Sequence, residues 1–184
     1  MDYSYILLGV AVLVVLWLIA TYNGLISLRN RAKEAISDMD VQEKRRYDLI
    51  PNLVEMVKGY MAHEKNVLEN VTKARADVSK SGNPLEREKS ENVLSGTLKT
   101  LFAVAESYPD LKANTNFLKL QDELTDTEDK IQAARRFYNS TVMDLNSSIQ
   151  SFPTNLIANT FGFKEEKFFE TGSEEENRPV SIKF

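Results

Sequence analysis

Cysteine is absent from the sequence, which removes disulfides, thiolate metal centres, cysteine nucleophiles and a lipoprotein anchor together. Histidine occurs once, as His63, too few for a histidine-rich metal site within one chain. "HEKNV" (63–67) is not a zincin motif, because position 67 is Val where the second metal-binding His would stand one turn on. The seven glycines are scattered, so neither a GxGxxG turn nor a P-loop can be written. Charge of one sign is not in excess either: 27 acidic and 23 basic residues give a formal net charge of −4 over 184 residues. Nucleic-acid binding leaves a basic footprint, and none is present. No cofactor and no metal site is expected, and no enzymatic activity.

What the chain does have is a long run without charge. Residues 3–28 contain no Asp, Glu, Lys or Arg, and "YILLGVAVLVVLWLIA" (5–20) is almost wholly apolar. Twenty helical residues from Tyr3 to Tyr22 extend about 30 Å, one bilayer hydrocarbon core. Tyr3 and Tyr5 mark one end, Trp17 and Tyr22 the other, as interfacial aromatics do. A cleaved signal peptide is the rival reading. It would want Lys or Arg where Asp2 stands, and a small-x-small site that is not evident. A retained anchor is therefore expected over 1–22. Arg29, Arg31 and Lys33 come soon after the span, so the positive-inside rule puts the N-terminus outside and the remainder in the cytoplasm.

Beyond Tyr22 the periodicity is helical. Apolar residues recur at Leu28, Ala32, Ile36, Met39, Ile50, Leu53, Val57, Met61, Leu68 and Val71, steps of three and four that predict helix as far as the turn "KSGNP" (80–84). Pro84 suits the first position of a third helix over 84–106, with Leu94, Leu98, Leu101 and Ala105 on one face. "SYPDLKAN" (107–114) interrupts, and Asn114 is placed to cap the fourth helix. Then Phe117, Leu120, Leu124, Thr127, Ile131, Ala134, Tyr138, Thr141 and Leu145 form a coiled-coil-like seam. "SFPTN" (151–155) ends it, and Leu156 to Phe161 predicts one more short helix. The expected fold is all-α: an N-terminal transmembrane helix, then an antiparallel up-and-down bundle of three to four long helices over 23–163. An acidic, flexible tail is expected over 164–184, ending in the β-prone "VSIKF".

Pro51 falls inside the first helical run. The apolar phase of Ile36 and Met39 continues in Ile50, Leu53 and Val57, so a kinked but continuing helix is expected rather than a break. Proline removes the donor for the carbonyl of Tyr47, and the run Lys44–Arg46 is near enough in sequence to help satisfy it. The stripe from Met39 to Ile50 passes through Glu43 and Arg46. Either both form part of an exposed charged girdle, which is the expectation, or they point inward and need partners. Arg135, Arg136, Glu123 and Glu128 are the candidates for that role. Glu123, Asp126, Glu128 and Asp129 otherwise read as a solvated helix face, and the cluster Phe102, Tyr108, Asn114, Asn116 and Phe117 as a packed turn or a partner-binding end of the bundle.

The segments "KRRYDLIPNLVE", "YPDLKAN.NF..LQ.EL..TE" and "RR.YN" closely resemble the LemA family, over residues 22 to 169. Glu43 departs from the pattern, where an apolar residue is usual. The resemblance implies a membrane-anchored helical bundle with no established enzymatic reaction. A sensor-kinase function attached to the same name does not carry over, since a phosphoacceptor His with Gly-rich nucleotide boxes is missing. Members occur beside membrane zinc metallopeptidases of the HtpX type, and LemA-like domains occur in proteins of magnetosome membrane formation. The motifs nominate Arg45, Arg46, Tyr47, Pro51, Asn52, Tyr108, Pro109, Asp110, Asn114, Phe117, Arg135, Arg136, Tyr138 and Asn139 as structural or partner-contact positions. Two functions are expected to compete. One is a homo-oligomeric scaffold that shapes the bilayer; the other is an adaptor for a membrane partner such as a metallopeptidase.

Overall fold

Helix α1 runs from Tyr3 to Lys58 in the computed structural model, whose described residues are 3–80, 82 and 84–170, the side chains of 84–86 excepted. Helices α2 (Lys65–Lys80), α3 (Pro84–Ala105), α4 (Pro109–Lys112), α5 (Thr115–Gln150) and α6 (Thr154–Thr160) come after it. No strand occurs among the described residues, so the fold is all-α, and α1 begins with one apolar stretch long enough to cross a membrane. Contacts divide the chain into two units, residues 1–37 with 134–168 and residues 38–133 with 169–184. Both α1 and α5 contribute residues to each unit. The end of the expected tail, residues 171–184 with "VSIKF", lies outside the described residues.

The second unit is a four-helix arrangement around one core. Ile50, Leu53, Val57 and Met61 meet Leu68, Val71, Ala74 and Val78, then Leu94, Leu98 and Leu101, then Phe117 and Leu124. Side-chain contacts give the directions of the helices. Arg75 of α2 reaches back to Tyr47 of α1. Arg46 meets Glu91 of α3, while Arg87 meets Asp40 and Glu43, so α1 and α3 run parallel. Ser95 bonds Glu128 and Phe102 packs on Phe117, so α5 runs against α3. The result is up-down-up-down.

In the first unit, Leu25 just after the apolar stretch packs with Leu145 and Ile149 of α5 and with Ala158 and Phe163. Helix α6 ends on Gly162 at φ 72, the left-handed region that glycine tolerates. There the N–H of Phe163 donates to the Ala158 carbonyl at 2.9 Å and that of Gly162 to Asn159 at 3.3 Å, a Schellman end that turns Phe163 into the core. Residues 164–168, which composition places in the tail, lie against α5. Asn146 donates to the Glu166 carbonyl and accepts its N–H, both at 2.9 Å. The Tyr138 hydroxyl donates to the Lys167 carbonyl at 3.0 Å.

Two local readings need correction. The apolar stripe through Met61 to Leu68 predicts unbroken helix, but residues 59–64 form a turn between α1 and α2. The stripe survives because Met61 is fully buried within that turn; its N–H and that of Tyr60 both bond the Val57 carbonyl. The second concerns Pro51. Helix α1 does continue through it, but the carbonyl of Tyr47 is filled from another helix. Arg75 Nε donates to it at 3.0 Å, and the same guanidinium lies 3.6 Å from the centroid of the Tyr47 ring.

This exchange of an intrahelical donor for an arginine predicts thermodynamic coupling. Arg75→Ala should cost about 1–3 kcal/mol, the range for leaving a half-buried acceptor unmet. In a Pro51→Ala background the restored backbone N–H should serve Tyr47, and the cost of Arg75→Ala should fall by about 1 kcal/mol. Urea unfolding of the four proteins in mild detergent, monitored by circular dichroism, measures this; equal costs in both backgrounds would refute it.

Candidate functional site

Polar residues of the second unit form a layer across three helices, from exposed Asp40 at its edge to buried Arg46 and Glu91. On α1, Asp40, Glu43 and Arg46 recur every three residues; on α3, Arg87, Glu91 and Ser95 recur every four, so each set shares a helix face. Glu128 of α5 closes the layer. The expected exposed girdle is thereby corrected, for Glu43 and Arg46 are both buried. They continue the apolar stripe inward, as its phase requires.

Arg46 is the centre. Only 1 % of its side chain is exposed, against 2 % for Glu91 and 26 % for Glu128. One terminal nitrogen pairs with the Glu91 carboxylate. The other pairs with Glu128 and donates to Ser95 Oγ at 2.9 Å. Ser95 donates its own hydrogen bond to Glu128 Oε2 at 2.8 Å, and Gln132 donates to Glu128 Oε1 at 3.1 Å. On α3, Arg87 pairs with Asp40 of α1 and lies 3.4 Å from Glu43. Glu88 accepts the Glu170 N–H at 3.2 Å. The planar guanidinium fork suits this work, since it donates to two carboxylates in fixed directions. Of the partners foreseen for Arg46, Glu128 is realised. Glu123 instead lies 3.4 Å from Arg45, which is also 3.5 Å from Asp126. These outer pairs are about half-exposed and worth little.

The remaining motif residues fall in three places. Tyr47 and half-buried Pro51 belong to the Arg75 contact, with Asn52 exposed beside them. Tyr108, Pro109, Asp110, Asn114 and Phe117 form the α3–α5 corner. Pro109 opens α4. Asn114 Oδ1 accepts the N–H groups of Asn116 at 2.9 Å and Phe117 at 3.3 Å, the expected cap. Its amide donates to the Tyr60 hydroxyl at 3.1 Å, and the Tyr108 hydroxyl donates to Glu64 at 3.1 Å, fastening the 59–64 turn to this corner. Desolvation, with the bond to Glu64 and its charge, raises the Tyr108 pKa above the ordinary phenol value. Arg135, Arg136, Tyr138 and Asn139 belong to the first unit; burial, and then the charge of Glu166, raise the Tyr138 pKa.

Glu91, Arg87, Ser95, Arg75, Tyr60 and Glu64 are absent from the motif set. For Glu91 and Arg87 a signal exists: the face Leu94, Leu98, Leu101 extended backwards in steps of three and four lands on both. For the turn, Lys58 with Gly59 after it is a helix-end pattern. A cavity of about 440 Å³ opens beside Arg46, Ser95 and Glu128, walled by Leu98, Phe102 and Leu124 and edged by Lys99 and Asp129. Among the described residues no group of His, Asp and Glu is arranged to hold a metal ion.

The family model "LemA family" matches residues 35–184, which contain the whole layer. Protein LemA of Metamycoplasma hominis is 33 % identical over 141 residues, 74 % of this chain and 63 % of its own length. Magnetosome protein MamQ 2 of Paramagnetospirillum magneticum is 24 % identical over 194 residues, 89 % of this chain and 71 % of its own. Magnetosome protein MamQ of Magnetospirillum gryphiswaldense is 23 % identical over 178 residues, 83 % of this chain and 65 % of its own. The chain thus spans roughly two thirds of the length of these curated relatives.

The layer predicts an asymmetric mutational response. Arg46→Ala should destabilise by about 3–5 kcal/mol, because buried Glu91 loses its counter-charge. Replacing all three charges together, Arg46→Met with Glu91→Leu and Glu128→Leu, should recover most of the lost stability. Urea midpoints in mild detergent decide; an unchanged midpoint for Arg46→Ala would refute the layer's structural weight.

Proposed function

The chain belongs to the LemA family, and on that footing we propose that it is a non-enzymatic, membrane-anchored helical scaffold whose copies assemble and organise the bilayer around them. The observation that carries the reading is the continuity of α1. A charge-free stretch, exposed along residues 3–20, passes without a break into the helix whose other end builds a bundle core. An exposed apolar helix of that length needs lipid around it. The bundle residues are engaged in packing and in ion pairs rather than presented as a nucleophile with its base.

The same reading places the span in a bacterial inner membrane, with the N-terminus outside and the bundle on the side of Arg29, Arg31 and Lys33. The relatives named as magnetosome proteins support a role at a membrane. Exposed Val93, Leu118 and Met143 on the helices offer surface for neighbouring copies, and closed symmetric assembly is the usual outcome for such surfaces. An adaptor that holds a membrane partner, such as a zinc metallopeptidase, is the second reading. The Tyr60–Asn114 and Tyr108–Glu64 corner is where such a partner would sit.

Native mass analysis of the full chain in lipid nanodiscs and in mild detergent separates the two. A scaffold should give multiples of the 20.9 kDa chain mass. A strict monomer at every concentration would overturn it, and a stoichiometric second protein after mild crosslinking in cells would favour the adaptor.

A further inference from the structure

The corner between α5 and α6 exposes three large apolar side chains within ten residues: Phe152 at 80 %, Leu156 at 59 % and Phe161 at 61 %. Single exposed apolar residues need no explanation. These three differ because their position is tied to the end of the apolar stretch. The Phe161 ring lies 4.8 Å from that of Tyr22, and Phe163 lies 5.8 Å from Tyr22 on an edge contact. Below them, Leu25 packs with Ile149 and Ala158, which fixes α6 against the first turn of α1 beyond the stretch. The Schellman end at Gly162 sends Phe163 into that core while leaving Phe161 outside it.

Polar chemistry sits at the same height. A shallow cleft of about 400 Å³ is lined by Thr21, Ser27, Arg31, Ser148 and Thr154. Residues 21 to 31 cover about the first 15 Å of α1 beyond the stretch, which takes in a headgroup layer of about 5–7 Å and the water next to it. Arg29 lies nearby, its guanidinium 5.3 Å from the Phe163 ring centroid. Aromatic rings beside basic side chains, next to a membrane helix, are the composition of an interfacial contact.

We propose that the α5–α6 corner is a second membrane contact, in which Phe152, Leu156 and Phe161 enter the interfacial zone of the bilayer beside the transmembrane helix while Arg31 and the cleft hydroxyls face anionic headgroups. The proposal rests on residues 3–22 spanning the bilayer. Continuity with that span, through the Tyr22–Phe161 ring contact, is what selects lipid as the occupant. The corner adds apolar bulk to one leaflet only, the leaflet on the side of Arg29 and Arg31. That asymmetry would give an assembly of such chains a means of shaping the membrane.

The test uses the full chain in liposomes of mixed zwitterionic and anionic phospholipid, with acyl chains brominated near the headgroup end or unbrominated. Trp17 is the sole tryptophan and reports on the span. In a Trp17→Phe background, Leu156→Trp and Phe161→Trp report on the corner, and Phe137→Trp on an exposed position of α5 about 20 Å further along that helix from its C-terminal end. Trp17 should be quenched, and the two corner tryptophans should lose roughly half their emission in brominated lipid, as insertion of about 5–10 Å implies. Phe137→Trp should keep its emission. Quenched Trp17 with unquenched corner positions would overturn the corner contact and leave the span standing. Corner emission that is blue-shifted but unquenched would also overturn it, giving the surface to a second copy or a protein partner. Unquenched Trp17 would overturn the spanning reading and the proposal with it.

Discussion

A buried guanidinium is tolerable only if carboxylates take up its charge and its donors, and Arg46 meets that demand through two helices at once. Glu91 on α3 and Glu128 on α5 must each arrive at the right height and rotation, because a helix turned by one residue moves a side chain by about 100°. An apolar core would accept several such registers with small loss. The ion pairs accept few. The layer therefore does for this bundle what a single polar position does for a coiled coil, trading some stability for one arrangement. The parallel run of α1 and α3, with Asp40, Glu43 and Arg46 opposite Arg87, Glu91 and Ser95, repeats the constraint along about two turns.

That dependence also explains which features could be read in the sequence and which could not. Positions on a single helix are set by period alone, so the face of Leu94, Leu98, Leu101 and Ala105 and the seam of α5 from Phe117 to Leu145 were legible. In the folded protein these residues are buried, apart from half-buried Leu120 and Ala134. The Asn114 cap was legible for the same reason, since it acts on its own helix. Pairings between helices were not. Glu123, Asp126, Glu128 and Asp129 fall within two turns, and which one meets Arg46 is decided by helix rotation against α1. The turn at 59–64 escaped because Met61 keeps the apolar phase through it. Its fastening residues, Tyr60 and Glu64, bond to Asn114 and Tyr108, more than forty positions away.

Pro51 and Arg75 show the same principle in the backbone. Proline in a helix leaves one carbonyl without its donor, and that of Tyr47 is partly removed from water by α2. A lysine or arginine on the same helix could serve it only by folding back along its own turn. Arg75 approaches from across the interface, so its single hydrogen bond also joins α1 to α2, and its stacking on the Tyr47 ring holds the planar group in place. The defect in one helix becomes a connection between two. A motif containing "RRYDLIP" thus carries interhelical contacts from Arg45, from Arg46 and through Tyr47.

The two units expose different surfaces. In the second, charges are buried in pairs and apolar residues close around them. In the first, apolar residues 3–20 are exposed along one helix, and the corner at Phe152, Leu156 and Phe161 repeats that exposure where α5 turns back. Water would penalise both surfaces, by about 25 cal/mol for each Å² of apolar area. A bilayer removes the penalty for both at once only if the corner lies at the height where the helix leaves the membrane. The Tyr22–Phe161 and Leu25–Ala158 contacts put the corner beside the end of the apolar stretch. One solvent assignment then accounts for the exposed helix, the exposed corner and the arginines beside them, which is a stronger reason to accept it than any one of the three alone.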